Sequence, residues 1–335
     1  MKGVHIFKIN EIVMTKVRWM LVLMLLFGFI FSPLPGIAQN GGENKVTEAS
    51  ARNIVLVPGF FNSLVPALNR QGDPWKQPYF SRDIIQGLTE AGYKTWVVDN
   101  LNPVGGIEEN GKRLLDFLTA RTQDFGDQPV VLVGHSAGGL YALYAIAHGD
   151  FDIAQFIAVN TPFRGLKFLT TLEKNHIPIK TIAAPFCLEN LIGLNEENVR
   201  VFINSLSIRK PLRIDVFASY QASRIDTWNY RSLSAPMNIF QALANEASDG
   251  IVTLRSAWAS KDLSAKNSHF EIYNHPQTVD LEHWEMAADY RFFNLAGVWN
   301  TNALRRAQRK AYVDILKSSG IPPTKQFQTI QEQRP

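Results

Sequence analysis

With 335 residues, 46% of them hydrophobic and 19% charged, the chain can bury a large core and is too apolar to be disordered over most of its length. The formal net charge of +4 is concentrated at the start, where residues 1–38 set Lys2, Lys8, Lys16 and Arg18 against Glu11; about +1 is left for everything after them, which excludes a nucleic-acid binder with a broad basic face. The lone cysteine, Cys187, excludes an internal disulfide.

In chain order, Lys16 and Arg18 precede an uncharged run from Trp19 to Phe31, followed by Ser-Pro-Leu-Pro-Gly-Ile-Ala38. The run is short for a bilayer span, and Gly36 and Ala38 are small where a signal peptidase cuts, so residues 1–38 read as an export signal leading to the periplasm or the exterior. Met14 is a natural start for a compact signal, and an uncleaved anchor is the competing reading. Residues 39–53 are a polar linker. A buried strand is expected at Ile54 to Val57, running into Pro58-Gly59-Phe60, then a helical period from Tyr79 to Ala91 closed by Gly92. Next come a strand at Lys94 to Asp99, a loop through Gly105-Gly106 and an amphipathic helix from Ile107 to Thr122. This alternation predicts an α/β fold with a mostly parallel, doubly wound sheet flanked by helices.

The chain is organised around Val130-Val-Leu-Val-Gly-His-Ser136-Ala-Gly-Gly139. An apolar β-branched run ends in Gly-x-Ser-x-Gly, and an alanine-rich helical segment, Leu140 to His148, follows at once. Strand, one-residue turn and helix make a nucleophile elbow, which presents the Ser136 hydroxyl at the carboxyl edge of a sheet. The turn also sets the Ala137 amide at a helix N-terminus, where negative charge is favoured. His135 is expected to pack beneath the elbow.

Gly-His-Ser-Ala-Gly-Gly, followed by a strand from Gln155 to Val159 ending in Asn160-Thr-Pro-Phe-Arg-Gly165, resembles the bacterial triacylglycerol lipases of the α/β-hydrolase fold. Their strand commonly ends Ser-Thr-Pro-His-Arg-Gly, so Phe163 replaces a histidine. Val55-Leu-Val-Pro-Gly-Phe60 is similar to their Leu-Val-His-Gly segment, with Pro58 in place of the histidine. The resemblance runs from about Ile54 to about Leu295 and implies a domain over 54–320 with a helical cap or lid at about 163–210. In that cap, Phe168, Leu169, Leu172, Phe186, Leu188, Leu191, Ile192 and Leu194 suit two or three short helices. They either line an acyl pocket that opens at a lipid surface or pack on the domain.

The resemblance also implies roles. Phe60 and Ala137 would supply the oxyanion hole through their backbone N–H groups. Asp249, in Ala247-Ser-Asp-Gly-Ile-Val252, matches the family's Asp-Gly-Leu-Val element and would be the triad acid. Asp226 and Asp215 are weaker alternatives, Asp215 because it lies in an alternating strand, Leu212 to Tyr220, where a solvated face is expected. Of His269, His275 and His283, the last follows the final strand, Phe270 to Tyr273, and precedes a helical stretch, Trp284 to Leu295, so His283 would be the base. The order Ser136, Asp249, His283 is that of the family.

These residues imply a serine hydrolase of lipid carboxylic esters acting through an acyl-enzyme. A short-chain carboxylesterase, a lipid acyltransferase or a non-catalytic binding protein on the same fold are the alternatives. No cofactor is expected. Calcium, which some of these lipases hold beside the histidine loop, would have Glu285 near one such position. No Cys/His cluster suggests zinc. Arg305, Arg306, Arg309, Lys310 and Lys317 lie on a last helix, either as ordinary surface charge or as a face toward anionic lipid; residues 321–335 are expected to be a disordered tail. The sequence does not state an oligomeric form.

Overall fold

Six strands form one fully parallel sheet among the residues that the computed structural model describes, which are 52–60, 79–177, 189–219, 243–258, 269–275, 281, 283–287 and 301–323. They are β1 Asn53–Val57, β2 Lys94–Val97, β3 Val130–His135, β4 Ile153–Val159, β5 Leu212–Phe217 and β6 Phe270–Asn274, in the spatial order β2-β1-β3-β4-β5-β6. The register runs from Val55 beside Leu132 to Ile214 beside Ile272, with one shift between Val130 and Val131.

The central strands read as unbroken apolar runs because helices cover both faces of the sheet. Alternate side chains go opposite ways. Val55, Val57, Leu132, Phe156 and Ala158 join a core with α2 Ile107–Ala120 and α4 Ala137–His148. Ile54, Leu56, Val131, Val133, Ile157 and Val159 join a second core with α1 Arg82–Glu90 and α9 Thr301–Ser318. The helical period expected from Tyr79 begins later. Ser81 is the N-cap, its side chain accepting from the Ile84 N–H, so Tyr79 and Phe80 precede the helix and are free to turn inward. Likewise the helix expected to Thr122 breaks at Arg121, and Thr122–Phe125 forms a separate turn, α3.

Between β4 and β5 the described residues form three short helices, α5 Lys167–Lys174, α6 Glu189–Ile192 and α7 Glu196–Ser205. Phe168, Leu169, Leu172, Ile192, Leu194 and Val199 are buried in the same core as α2 and α4, so these helices pack on the domain. Phe186 and Leu188 lie outside the described residues. The segment is also strapped to the stretch before β6, since Ser256 Oγ donates to Gly165 O at 2.6 Å and Lys167 pairs with Glu246 at 3.5 Å.

The strand expected to reach Tyr220 stops at Phe217. A four-residue helix, α8 Leu254–Ala257, follows the Asp249 turn. Residues 284–287 form turns where a helix was expected, and 288–295 lie outside the described residues. The last helix lies along α1. Arg305 holds Asp83 through two bonds of 2.7 and 2.9 Å, Arg309 pairs with Glu90, and Lys310 pairs with Asp314. Three of the five cations considered for a lipid face therefore have carboxylate partners within the chain. Ile321 is buried, with its carbonyl accepting from Tyr93 Oη at 2.7 Å, so the folded part continues past 320. Residues 1–51, holding the expected signal and most of the linker, and 324–335 are outside the described residues.

Candidate active site

Ser136 is the single residue between β3 and α4, with φ 56° and ψ −133°. A non-glycine residue there carries about 1–3 kcal/mol of strain, held by the packing around it. That packing excludes side chains: a Cβ at Gly134 would come within 2.6 Å of the Gly139 Cα, and one at Gly138 would strike the Val57 and Pro58 carbonyls. Ser136 N donates to Val159 O at 2.9 Å, fixing the turn to β4.

Asp249 and His283 converge on this serine. His283 Nδ1 is 2.6 Å from Asp249 Oδ2 and its Nε2 is 2.9 Å from Ser136 Oγ. A carboxylate can only accept, so Nδ1 carries the proton and Nε2 is left to accept from the serine hydroxyl. The other oxygen, Asp249 Oδ1, accepts from the Ile251 and Val252 amides at 2.9 and 2.7 Å, an Asx turn that orients the carboxylate. The His283 N–H donates to the Asp249 carbonyl at 2.9 Å, tying the two loops through their main chains as well. Asp249 and His283 are 1% and 2% exposed and Ser136 is 8% exposed, so this line of bonds is shielded from water, which strengthens it. The Trp284 ring meets the His283 ring edge-on, with centroids 5.8 Å apart.

The turn after β1 presses on the elbow. A Cβ at Gly59 would come within 2.8 Å of Ser136 Cβ and 2.9 Å of His135 O. Of the two residues expected at the oxyanion hole, Phe60 follows Gly59 and is buried, and Ala137 directly follows Ser136 and opens α4.

The remaining candidates part company with the site. Asp215, expected on a solvated face, is fully buried: β5 is covered on both sides, so alternation there separates two cores instead of core and water. It binds Arg213 through two bonds of 2.8 and 2.9 Å, Gln155, and His275 Nε2 at 2.7 Å. The two discarded alternatives, Asp215 and His275, therefore pair with each other. Asp226 lies outside the described residues; His269 precedes β6 and its carbonyl accepts from Leu212 N. Among the described residues no group of three or more His, Cys, Asp or Glu is arranged to hold a metal ion, and Glu285 is buried with its carbonyl accepting from Gln308 Nε2 at 2.7 Å. Phe163, the substituted position, is buried in the core with α2 and α4.

Two groups around the elbow were not singled out by sequence as a pair. Tyr79 Oη is 2.7 Å from His135 Nδ1, both side chains buried. Burial holds the Tyr79 phenol well above its usual value, and burial, then the neighbouring His283, hold the His135 imidazole well below its own, so both are neutral. Aromatics just ahead of a helix cap were the available signal.

Among solved structures, the fold is similar to that of a metagenomic carboxyl esterase, at 14% identity and a TM-score of 0.53, covering 87% of this chain and 82% of that one. It is likewise similar to a Staphylococcus hyicus lipase, at 12% identity and a TM-score of 0.52, covering 84% and 98%. A mature Bacillus licheniformis lipase matches at 18% identity and a TM-score of 0.51, covering 73% and 89%. A search of curated protein sequences finds no match. The model of the alpha/beta hydrolase family matches residues 54–289, which include the β1 turn, the elbow, the Asp249 turn and the His283 loop, and the chain belongs to that family.

Proposed function

We propose that the protein is a serine hydrolase of lipid carboxylic esters, working through Ser136, His283 and Asp249. The observation that carries this is the unbroken line of hydrogen bonds that starts at Ser136 Oγ, on a strained elbow at a helix N-terminus, and runs through the His283 ring to Asp249. In this reading His283 Nε2 takes the hydroxyl proton as Oγ bonds to the ester carbonyl carbon. Asp249 holds the ring and balances the imidazolium, and the Phe60 and Ala137 amides stabilise the oxyanion. The proton then passes to the departing alkoxide as the ester bond breaks. Water, activated by the same imidazole, releases the acid and restores the serine.

The substrate class rests on resemblance and on the structural neighbours, since one triad serves many acyl groups. One observation favours the short-chain esterase alternative: the described cap helices bury their apolar residues in the domain core. Residues 16–38 support export as the setting. The test is hydrolysis of p-nitrophenyl esters of short, medium and long acyl chains, with and without calcium, beside Ser136→Ala and a fluorophosphonate probe. Turnover that the variant lacks, with labelling of Ser136, is expected, and a preference for long chains separates lipase from esterase. No hydrolysis at any length and no labelling would leave a binding protein on a hydrolase fold.

A further inference from the structure

The β1 turn must hold a backbone amide still beside Ser136, and its own side chains offer little to hold it with: Pro58 has no polar group and Gly59 has none at all. The anchor comes from elsewhere in the chain. Tyr79 Oη lies 2.9 Å from where a Gly59 Cβ would be, so the phenol packs directly on the turn. The same oxygen is 2.7 Å from Nδ1 of His135, the last residue of β3 and the neighbour of the nucleophile. His135 Nε2 has no hydrogen-bond partner among the described residues, so the phenol is the ring's polar tether. The His135 ring in turn lies against His283, centroids 4.8 Å apart. One phenol thus joins the oxyanion turn, the elbow strand and the flank of the base.

We infer that Tyr79 and His135 are a positioning pair, whose hydrogen bond fixes the Gly59–Phe60 turn against the elbow and thereby sets the oxyanion hole. This rests on the ester-hydrolase reading and deepens it. Neither residue exchanges a proton with substrate. Both stay neutral in their buried surroundings, which makes the bond insensitive to pH through the working range. A misplaced donor acts on the tetrahedral state and spares ground-state binding, so the effect falls on kcat.

The experiment uses the mature protein with Tyr79→Phe, His135→Phe, His135→Asn and the Tyr79→Phe/His135→Phe double variant, read by kcat and KM on the best p-nitrophenyl ester, by affinity for an alkyl boronic acid as a tetrahedral adduct, and by thermal melting. Tyr79→Phe keeps the ring and loses the hydroxyl; kcat should fall about 10- to 100-fold, as for a displaced catalytic group, with KM nearly unchanged and boronate affinity falling in step. His135→Phe should match it, the double variant should be no worse than either, and His135→Asn, which offers an acceptor near the Nδ1 position, should recover most of the loss. Since the bond is cut from either end, failure of one variant to fold leaves the other to decide. Wild-type kcat in Tyr79→Phe or His135→Phe while Ser136→Ala is inactive overturns the pair alone. A loss in KM only, or equal loss in His135→Asn and His135→Phe, also overturns it. Full turnover by Ser136→Ala would instead sink the hydrolase reading beneath it.

Discussion

The Asp249–His283 and Asp215–His275 pairs have nearly the same separation, 2.6 and 2.7 Å, and both carboxylates are buried, yet they are built for opposite ends. His283 gives Nδ1 to its acid and keeps Nε2 for Ser136; His275 spends Nε2 on its acid and stacks its ring flat on Phe217, with centroids 4.2 Å apart. The acids differ more. Asp249 is held by neutral backbone amides, which leave its charge to act on the imidazole. Asp215 is clasped by the Arg213 guanidinium, which has already balanced that charge. On the proposed reading an Asp–His contact alone does not mark the catalytic pair; a second ring nitrogen turned to a serine hydroxyl and a carboxylate held without a cationic partner do.

The largest expected effect that would break this contrast is in Ser136→Ala. It should lower kcat by about 10⁴-fold or more, as loss of a triad nucleophile does, while His275→Ala leaves activity per folded molecule near wild type. Asp249→Asn should cost about 10⁴-fold in kcat by permitting the wrong tautomer, with melting little changed. Asp215→Ala should do the reverse, losing about 3 kcal/mol of stability in urea unfolding because Gln155, His275 and Arg213 all lose their acceptor, with kcat of the folded fraction retained. Large loss of kcat there would mean that the second pair serves the chemistry.

His135, bonded to a phenol instead of a carboxylate, separates burial from pairing. Its imidazole is held well below 6.5 in the folded state, so below that pH the unfolded chain binds a proton that the folded chain refuses. Stability is full above about 6.5 and falls as pH drops, by up to about 1.4 kcal/mol per pH unit from this group. Urea unfolding at pH 7 and pH 5 should show a smaller drop in His135→Asn than in wild type. The smallest effect belongs to His275→Gln, about 1 kcal/mol for one hydrogen bond.

Much of this was legible because the elbow is local. Strand, turn and helix within Val130 to His148 need particular small residues at fixed places, and the chain order of Ser136, Asp249 and His283 carried the rest. What was missed depended on partners distant in sequence. Asp215 looked solvated because period-two alternation has the same appearance whether the second face meets water or helices. Arg305 and Arg309 looked like a lipid-facing row because Asp83 and Glu90, their partners, lie on a helix more than 200 residues earlier. Tyr79 reads as helical because the Ser81 cap that opens the helix is a weaker signal than the apolar period running through it.

The last helix also bears on when the site comes into being. Gln308 accepts from Ser81 Oγ at 3.0 Å and donates to the Glu285 carbonyl at 2.7 Å, and Ser81 N donates to the Ala287 carbonyl at 2.7 Å. The loop bearing His283 is thus braced by a residue translated after Ser136, Asp249 and His283. A nascent chain still lacking that helix has its serine elbow encoded but its imidazole unbraced, so on the proposed reading the alignment of Ser136 with His283 waits until that helix has been made.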